Sequence, residues 1–211
     1  MATNGNDNIT FTGALETVSM TLINAYSGAA IVLSGEYFLN NTLYDGLDGT
    51  DTLFMTGNAD LLLIKNSSNQ QTIFNVEVIN ASSGGDVIDL SSTEFILGNM
   101  TINGANGHDI LWANAGNDTV SGGAGNDIID GGTGNDILNG DSGDDTINGG
   151  EGDDTIRGGS DSDTMSGGAG NDIYIADTFF AFNFTDVITE AAGADTDILR
   201  FSSDQTFENL V

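Results

Sequence analysis

The feature that most constrains this chain is a nine-residue period. Residues 104 to 175 divide without insertion into eight nonapeptides: GANGHDILW, ANAGNDTVS, GGAGNDIID, GGTGNDILN, GDSGDDTIN, GGEGDDTIR, GGSDSDTMS and GGAGNDIYI. A repeat this short cannot bury its apolar side alone and must stack on its neighbours. Position 6 is Asp in all eight: Asp109, Asp118, Asp127, Asp136, Asp145, Asp154, Asp163 and Asp172. Position 8 is apolar in all eight: Leu111, Val120, Ile129, Leu138, Ile147, Ile156, Met165 and Tyr174. Position 4 is Gly in seven, Asp161 being the exception.

The two halves of each repeat have different physics. Positions 1 to 6 are turn chemistry, because Gly reaches positive φ freely and Asn and Asp tolerate it. Positions 7 to 9 read as a three-residue strand, with the position-8 side chain on one face and its neighbours on the other. Two repeats then make one coil of a β-solenoid, and each side of the stack buries one apolar column. Alternate aspartates share a side, Asp109, Asp127, Asp145 and Asp163 on one and Asp118, Asp136, Asp154 and Asp172 on the other.

Stacked coils lie about 4.8 Å apart. At that spacing neighbouring carboxylates repel by roughly 3 kcal/mol at an effective dielectric of 20. A divalent cation between coils reverses the sign. The Gly-rich turns add backbone carbonyls to the carboxylates, from Gly107, Gly116, Gly125, Gly134, Gly143 and Gly152 at position 4 and from Gly123, Gly132, Gly150, Gly159 and Gly168 at position 2. Hard oxygen ligands in a flexible cage suit Ca²⁺, whereas Mg²⁺ demands tighter octahedral geometry and Zn²⁺ or copper favours His or Cys. Four aspartates per side leave three gaps per side, so the expectation is about six Ca²⁺ or more.

Composition points the same way. Thirty-two acidic residues stand against three basic ones, Lys65, Arg157 and Arg200, for a formal charge of −29. Such a chain repels nucleic acid and anionic membrane surfaces, and compacts only when cations neutralise it. Yet 38% of it is apolar, too much for a simple acidic tail. No Cys is available for disulfides or thiolate sites, and no apolar run is long enough to span a bilayer. The start, MATNGNDNITF, lacks the basic and apolar regions of a cleaved signal peptide, so export would take another route.

Fainter copies precede the block in NGNDNIT, GLDGTDTLF, MTGNADLLL, TIFNVEVIN and ASSGGDVID, where Asp7, Asp51, Asp60, Glu77 and Asp86 take the position-6 role, with Asp86 counted among the metal ligands. FILGNMTIN keeps the strand pattern but carries Met100 at that position. Residues 1–103 therefore read as degenerate solenoid with an irregular segment at 20–45, in which SMTLINA and AAIVLSG are short strands and GEYFLNNTLYDG a loop or cap. Residues 104–175 are the regular roll. Residues 176–211, with Phe179, Phe180, Phe182, Phe184 and Phe201, read as an aromatic C-terminal cap over the open end of the stack. The end at FENLV has the look of a boundary inside a longer protein.

These nonapeptides resemble the RTX, or haemolysin-type calcium-binding, repeat family, whose motif is Gly-Gly-x-Gly-x-Asp-x-U-x. The resemblance implies an all-β, right-handed parallel β-roll with Ca²⁺ in its turns, disordered without the ion. It further implies type I secretion, folding on meeting millimolar calcium outside the cell, and a secreted, extracellular or cell-surface location. IYIADTFF, DVITEAAGADTDIL and FENLV look like the segment that often follows such rolls. Departures are Ala113 at position 1, Ala105, Asn114 and Asp141 at position 2, and Asp161 at position 4.

Catalysis finds little support. One histidine, His108, and no cysteine cannot assemble a Ser-His-Asp, Cys-His or zinc-binding arrangement. His108 reads as a turn residue and Trp112, at position 9, as an exposed aromatic. Ice binding by ranks of Thr and Asn is interrupted by Glu151 and Asp153. The expected role is structural or adhesive in a secreted matrix, with other copies or a cell-surface component as partners. The alternative is a non-catalytic secretion and folding module of a larger RTX enzyme or toxin.

Overall fold

The computed structural model describes residues 76–176 continuously, residues 50, 52–55, 61–63, 73–74, 186–190 and 195–201, and four strand segments further upstream. The upstream strands are β1 (Asn8–Thr10), β2 (Ile23–Asn24), β3 (Ala30–Leu33), β4 (Tyr44–Asp45), β5 (Thr52–Met55), β6 (Leu61–Leu63) and β7 (Ile73–Phe74). Next come β8 (Val78–Asn80), β9 (Val87–Asp89), β10 (Thr101–Asn103) and β11 (Ile110–Trp112). The regular coils hold β12 (Thr119–Ala124), β13 (Ile128–Thr133), β14 (Ile137–Ser142), β15 (Thr146–Glu151), β16 (Thr155–Ser160), β17 (Thr164–Ala169) and β18 (Ile173–Ala176). Two strands follow, β19 (Val187–Thr189) and β20 (Ile198–Phe201). Among the described residues there is no helix.

Successive strands alternate between two parallel sheets. One runs β1-β3-β5-β8-β10-β12-β14-β16-β18-β20 and the other β6-β9-β11-β13-β15-β17-β19, while β2, β4 and β7 form a small third sheet. This is a parallel β-roll, in which each pair of nonapeptides makes one coil.

The in-register stack turns position 8 into two apolar columns. Leu53, Ile79, Ile102, Val120, Leu138, Ile156 and Tyr174 follow one another across the first sheet. Leu62, Ile88, Leu111, Ile129, Ile147 and Met165 do so across the second. All thirteen are buried and form one core with Met55, Val76, Leu90, Met100 and Ala113. Positions 7 and 9 face outward, which leaves Ile128, Ile137 and Trp112 exposed. The apolar column, narrow and one side chain wide per strand, is what fixes the register.

Two details differ from the expectation. The strands of the regular coils are six residues long and reach through positions 1 to 3 of the next repeat. Glycines meant as turn residues still face identical positions one coil away, as Gly132 faces Gly150, so the ladder carries through them. Pairing skips position 1 alone: Asp130 pairs with Asn148 and Gly132 with Gly150, leaving Gly131 and Gly149 without a register partner. Upstream, the short strands expected in SMTLINA and AAIVLSG correspond to β2 and β3, and β4 lies inside the stretch read as a loop or cap. The side chains of Asp7, Asp51, Asp60 and the phenylalanine cluster lie outside the described residues.

Candidate calcium-binding rows

Each repeat aspartate ends a Gly-rich turn and precedes a strand, and this places the eight in two rows. Asp118, Asp136, Asp154 and Asp172 lead into β12, β14, β16 and β18; Asp109, Asp127, Asp145 and Asp163 lead into β11, β13, β15 and β17. Within a row, one carboxylate oxygen ties coil to coil. The amide N–H of Asp109 donates to Asp127 Oδ1 at 2.8 Å. Asp127 donates in the same way to Asp145, and Asp145 to Asp163. The other row repeats the pattern from Asp118 through Asp136 and Asp154 to Asp172.

The second oxygen is different. Oδ2 of Asp109, Asp118, Asp127, Asp136, Asp145, Asp154, Asp163 and Asp172 is buried and has no hydrogen-bond partner. The residues themselves are at most 2% exposed, so bulk solvent does not reach these atoms. An unpartnered buried carboxylate oxygen is costly once, and here it recurs at every repeat.

The space beside each Oδ2 belongs to the glycine at position 1. A Cβ built on Gly122, Gly131, Gly140 or Gly149 would collide with Oδ2 of its own repeat's aspartate and with the position-1 carbonyl oxygen one coil on. Carboxylate and carbonyl oxygens therefore converge on one small volume that any larger side chain would fill. Ala113 is the exception at position 1, and its side chain joins the apolar core. Position 4 supplies a second set of carbonyls: a Cβ on Gly125, Gly134, Gly143 or Gly152 would strike the carbonyl oxygen of the position-4 glycine one coil earlier. Two position-2 carbonyls carry bonds between coils. The carbonyls of Ala105 and Asn114 accept the amides of Ala124 and Thr133 in the next coil. Gly123, Gly132, Gly150, Gly159 and Gly168 hold φ between +101° and +115° at the same position within the strands, a conformation glycine adopts freely. Asp161, at position 4, also holds a positive φ despite its side chain, at +84°.

Electrostatics follows from this burial. It pushes the carboxyls of Asp109, Asp136 and Asp145 up to about 7 from an ordinary 3.8, against the lowering effect of the backbone N–H each accepts. Asp154 and Asp163 rise to about 6 for the same reason. Asp118, Asp127 and Asp172 are raised as well, again chiefly by burial. The fold thus holds eight acids that resist ionisation unless a positive charge sits beside them.

Asp86 differs from the eight. It stands one step before Asp109 and donates its amide to Asp109 Oδ1 at 2.7 Å. Its own Oδ2, however, accepts the amide and hydroxyl of Ser82 at 2.8 and 2.9 Å. That satisfaction sets it apart from the open acceptors. Met100 heads the other row, donating its amide to Asp118 Oδ1 at 2.7 Å while its side chain enters the core.

A second ladder, missed in the sequence, runs along position 5. His108 Nδ1 accepts the amide of Asn126 at 2.7 Å. Asn117 and Asn135 oxygens accept from Asn135 and Asp153 in the same manner, as Asp144 and Asp153 do from Ser162 and Asn171. The preference for Asn and Asp at this position carried the signal. The rows also continue past the last repeat. Asp163 donates its amide to Asp186 Oδ1 at 3.1 Å and Asp172 to Asp197 Oδ1 at 3.0 Å. These steps are 23 and 25 residues, which is why a nine-residue period does not reveal them.

Two parallel sheets lined by rows of buried, open carboxylates define a β-roll whose turns offer oxygen ligands to a cation. The profile of the RTX calcium-binding nonapeptide repeat, in four copies, matches residues 103–138 and again residues 139–174. Residues 103–174 are thus RTX repeats, and RTX nonapeptide repeats bind calcium. Comparison with curated proteins gives no match. The residues present fit the ion: the eight Oδ2 atoms, with position-1 and position-4 carbonyls, are the hard oxygen set that Ca²⁺ takes. Bound there, it would supply the positive charge that the buried carboxylates lack.

Proposed function

We propose that the chain is a calcium-dependent β-roll that folds outside the cell and serves a structural or adhesive role there. The observation that carries the reading is the repeated, buried, partnerless Oδ2 in both rows. A fold that buries eight carboxylates in this way is unfavourable at neutral pH without cations, so ion binding and folding become one equilibrium. Extracellular modules of this ligand type bind Ca²⁺ at about 10⁻⁴ to 10⁻³ M, which suits the calcium level outside a cell. The eight aspartates with the turn carbonyls are the ligands of this proposal, with about six ions in the gaps between coils.

The role is non-catalytic. A roll of repeated turns and exposed strand faces offers surface rather than a reaction centre, and its eight buried repeat aspartates are engaged in the rows. The second reading, a secretion and folding module beside a catalytic or toxic domain, shares the same ion chemistry. Limited proteolysis tests the common part: a fragment covering residues 104–175 survives in millimolar calcium and is degraded in excess chelator. Equal survival in both sinks the reading. Light scattering separates the roles, since a matrix protein associates with its own copies in calcium and a folding module stays monomeric.

A further inference from the structure

The row of Asp118, Asp136, Asp154 and Asp172 does not end where the nonapeptides end. Beyond Asp172 the chain returns with Asp197, whose Oδ1 accepts the Asp172 amide at 3.0 Å. Thr196 anchors the same segment by donating its amide to Asn171 Oδ1 at 3.0 Å. Glu190, just after β19, reaches the same place from the other direction. One carboxylate oxygen from each of Asp172, Glu190 and Asp197 lies within 4.8 Å of the others.

Asp172 is 0% exposed, and its Oδ2 has no hydrogen-bond partner. Three carboxylates this close repel one another unless a cation joins them. At Gly122, Gly131, Gly140 and Gly149 the space beside Oδ2 is shared with a carbonyl from the next coil, and at Gly167 the nearest atoms are those of the Asp172 side chain. Tyr174 Oη accepts the Gly167 amide and donates to Glu190 Oε1, which holds that carboxylate over the gap. Tyr174 is also the one repeat residue at position 8 with a polar end, its ring in the core and its hydroxyl at this site.

We propose that Asp172, Glu190 and Asp197 form a terminal divalent-cation site that ties the segment after the repeats to the last coil. It rests on the calcium reading of the rows and adds an ion that the repeat motif does not encode. Glu190 adds a carboxylate oxygen from beyond the repeats, and Tyr174 positions it.

Equilibrium dialysis of the full chain against calcium tests the site, with Glu190→Gln and, as a matched loss of charge outside it, Asp153→Asn. Glu190→Gln is expected to bind one ion fewer per chain and Asp153→Asn the same number as the unaltered chain. Equal stoichiometry and affinity for Glu190→Gln overturns the terminal site while leaving the rows intact. No binding by the unaltered chain overturns the calcium reading itself. Should Glu190→Gln fail to fold in calcium, Tyr174→Phe decides with terbium as the probe: tyrosine-excited terbium emission falls if the site is there, and unchanged emission refutes it.

Discussion

Asp109 donates its amide N–H to Oδ1 of Asp127 at 2.8 Å, and Asp127 keeps Oδ2 buried without a partner. One carboxylate thus has two jobs, a hydrogen bond that ties coil to coil and an open oxygen for a cation. Replacing Asp127 and Asp145 by Ala removes both jobs from two adjacent coils. A hydrogen bond to a charged group contributes about 1.5–3 kcal/mol, so the calcium midpoint of folding should rise by about tenfold or more.

His108 Nδ1 accepts the Asn126 amide one coil on, on the exposed side of the turn. His108→Ala should cost about 0.5–1.5 kcal/mol, the range of a neutral hydrogen bond. His108→Asn, which restores the residue found at this position in other repeats, should be close to silent. Calcium titrations followed by circular dichroism compare all three variants. Equal effects from the aspartate pair and from His108→Ala would overturn the assigned roles.

Glycine at position 1 should be intolerant where an acid at position 4 is merely strained. Gly131→Ala drives a methyl group into Asp136 Oδ2 and the Gly149 carbonyl, and overpacking of this kind costs about 1–3 kcal/mol. Asp161, by contrast, sits at φ +84°, where a side chain costs about 1–2 kcal/mol that Gly avoids. Asp161→Gly also removes a negative charge that acts on Asp163. In calcium, thermal melting should show Gly131→Ala lowered and Asp161→Gly raised. A lowered Tm for Asp161→Gly would contradict the account.

Protons and calcium should substitute for one another. The ion-free fold raises Asp109, Asp136 and Asp145 to about 7 and Asp154 and Asp163 to about 6, whereas the unfolded carboxyls titrate near 3.8. The folded state therefore binds protons more tightly. Its stability is fullest below the unfolded value and is lost as pH rises through about 6 to 7. In excess chelator, strand signal should grow as pH falls from about 7.5 towards 5, and the further gain on adding calcium should shrink. A chelated spectrum that is constant across that range would contradict the burial of these groups.

Much of the roll was legible in the residues because its period is local. Asp at position 6 and an apolar residue at position 8 recur without a gap, so the two columns and the two rows follow from stacking alone. What escaped notice depends on the stack itself. The position-5 ladder and the carbonyl role of the position-1 glycines are relations between coils, and one repeat seen alone does not contain them, whereas the Ser82–Asp86 bond lies within one degenerate repeat that departs from the motif. Asp186, Glu190 and Asp197 were hidden for another reason. Longer connections separate them from the last repeats, so only the register of β19 and β20 against β17 and β18 brings them into line.

The central claim is that cation binding and folding of this roll are one event. Far-UV circular dichroism during a calcium titration at neutral pH, starting in excess chelator and with Mg²⁺ in a parallel series, tests it directly. The account predicts little strand signal in chelator, a cooperative rise at about 10⁻⁴ to 10⁻³ M calcium, and a much weaker response to Mg²⁺. Strand signal already complete in excess chelator would contradict it.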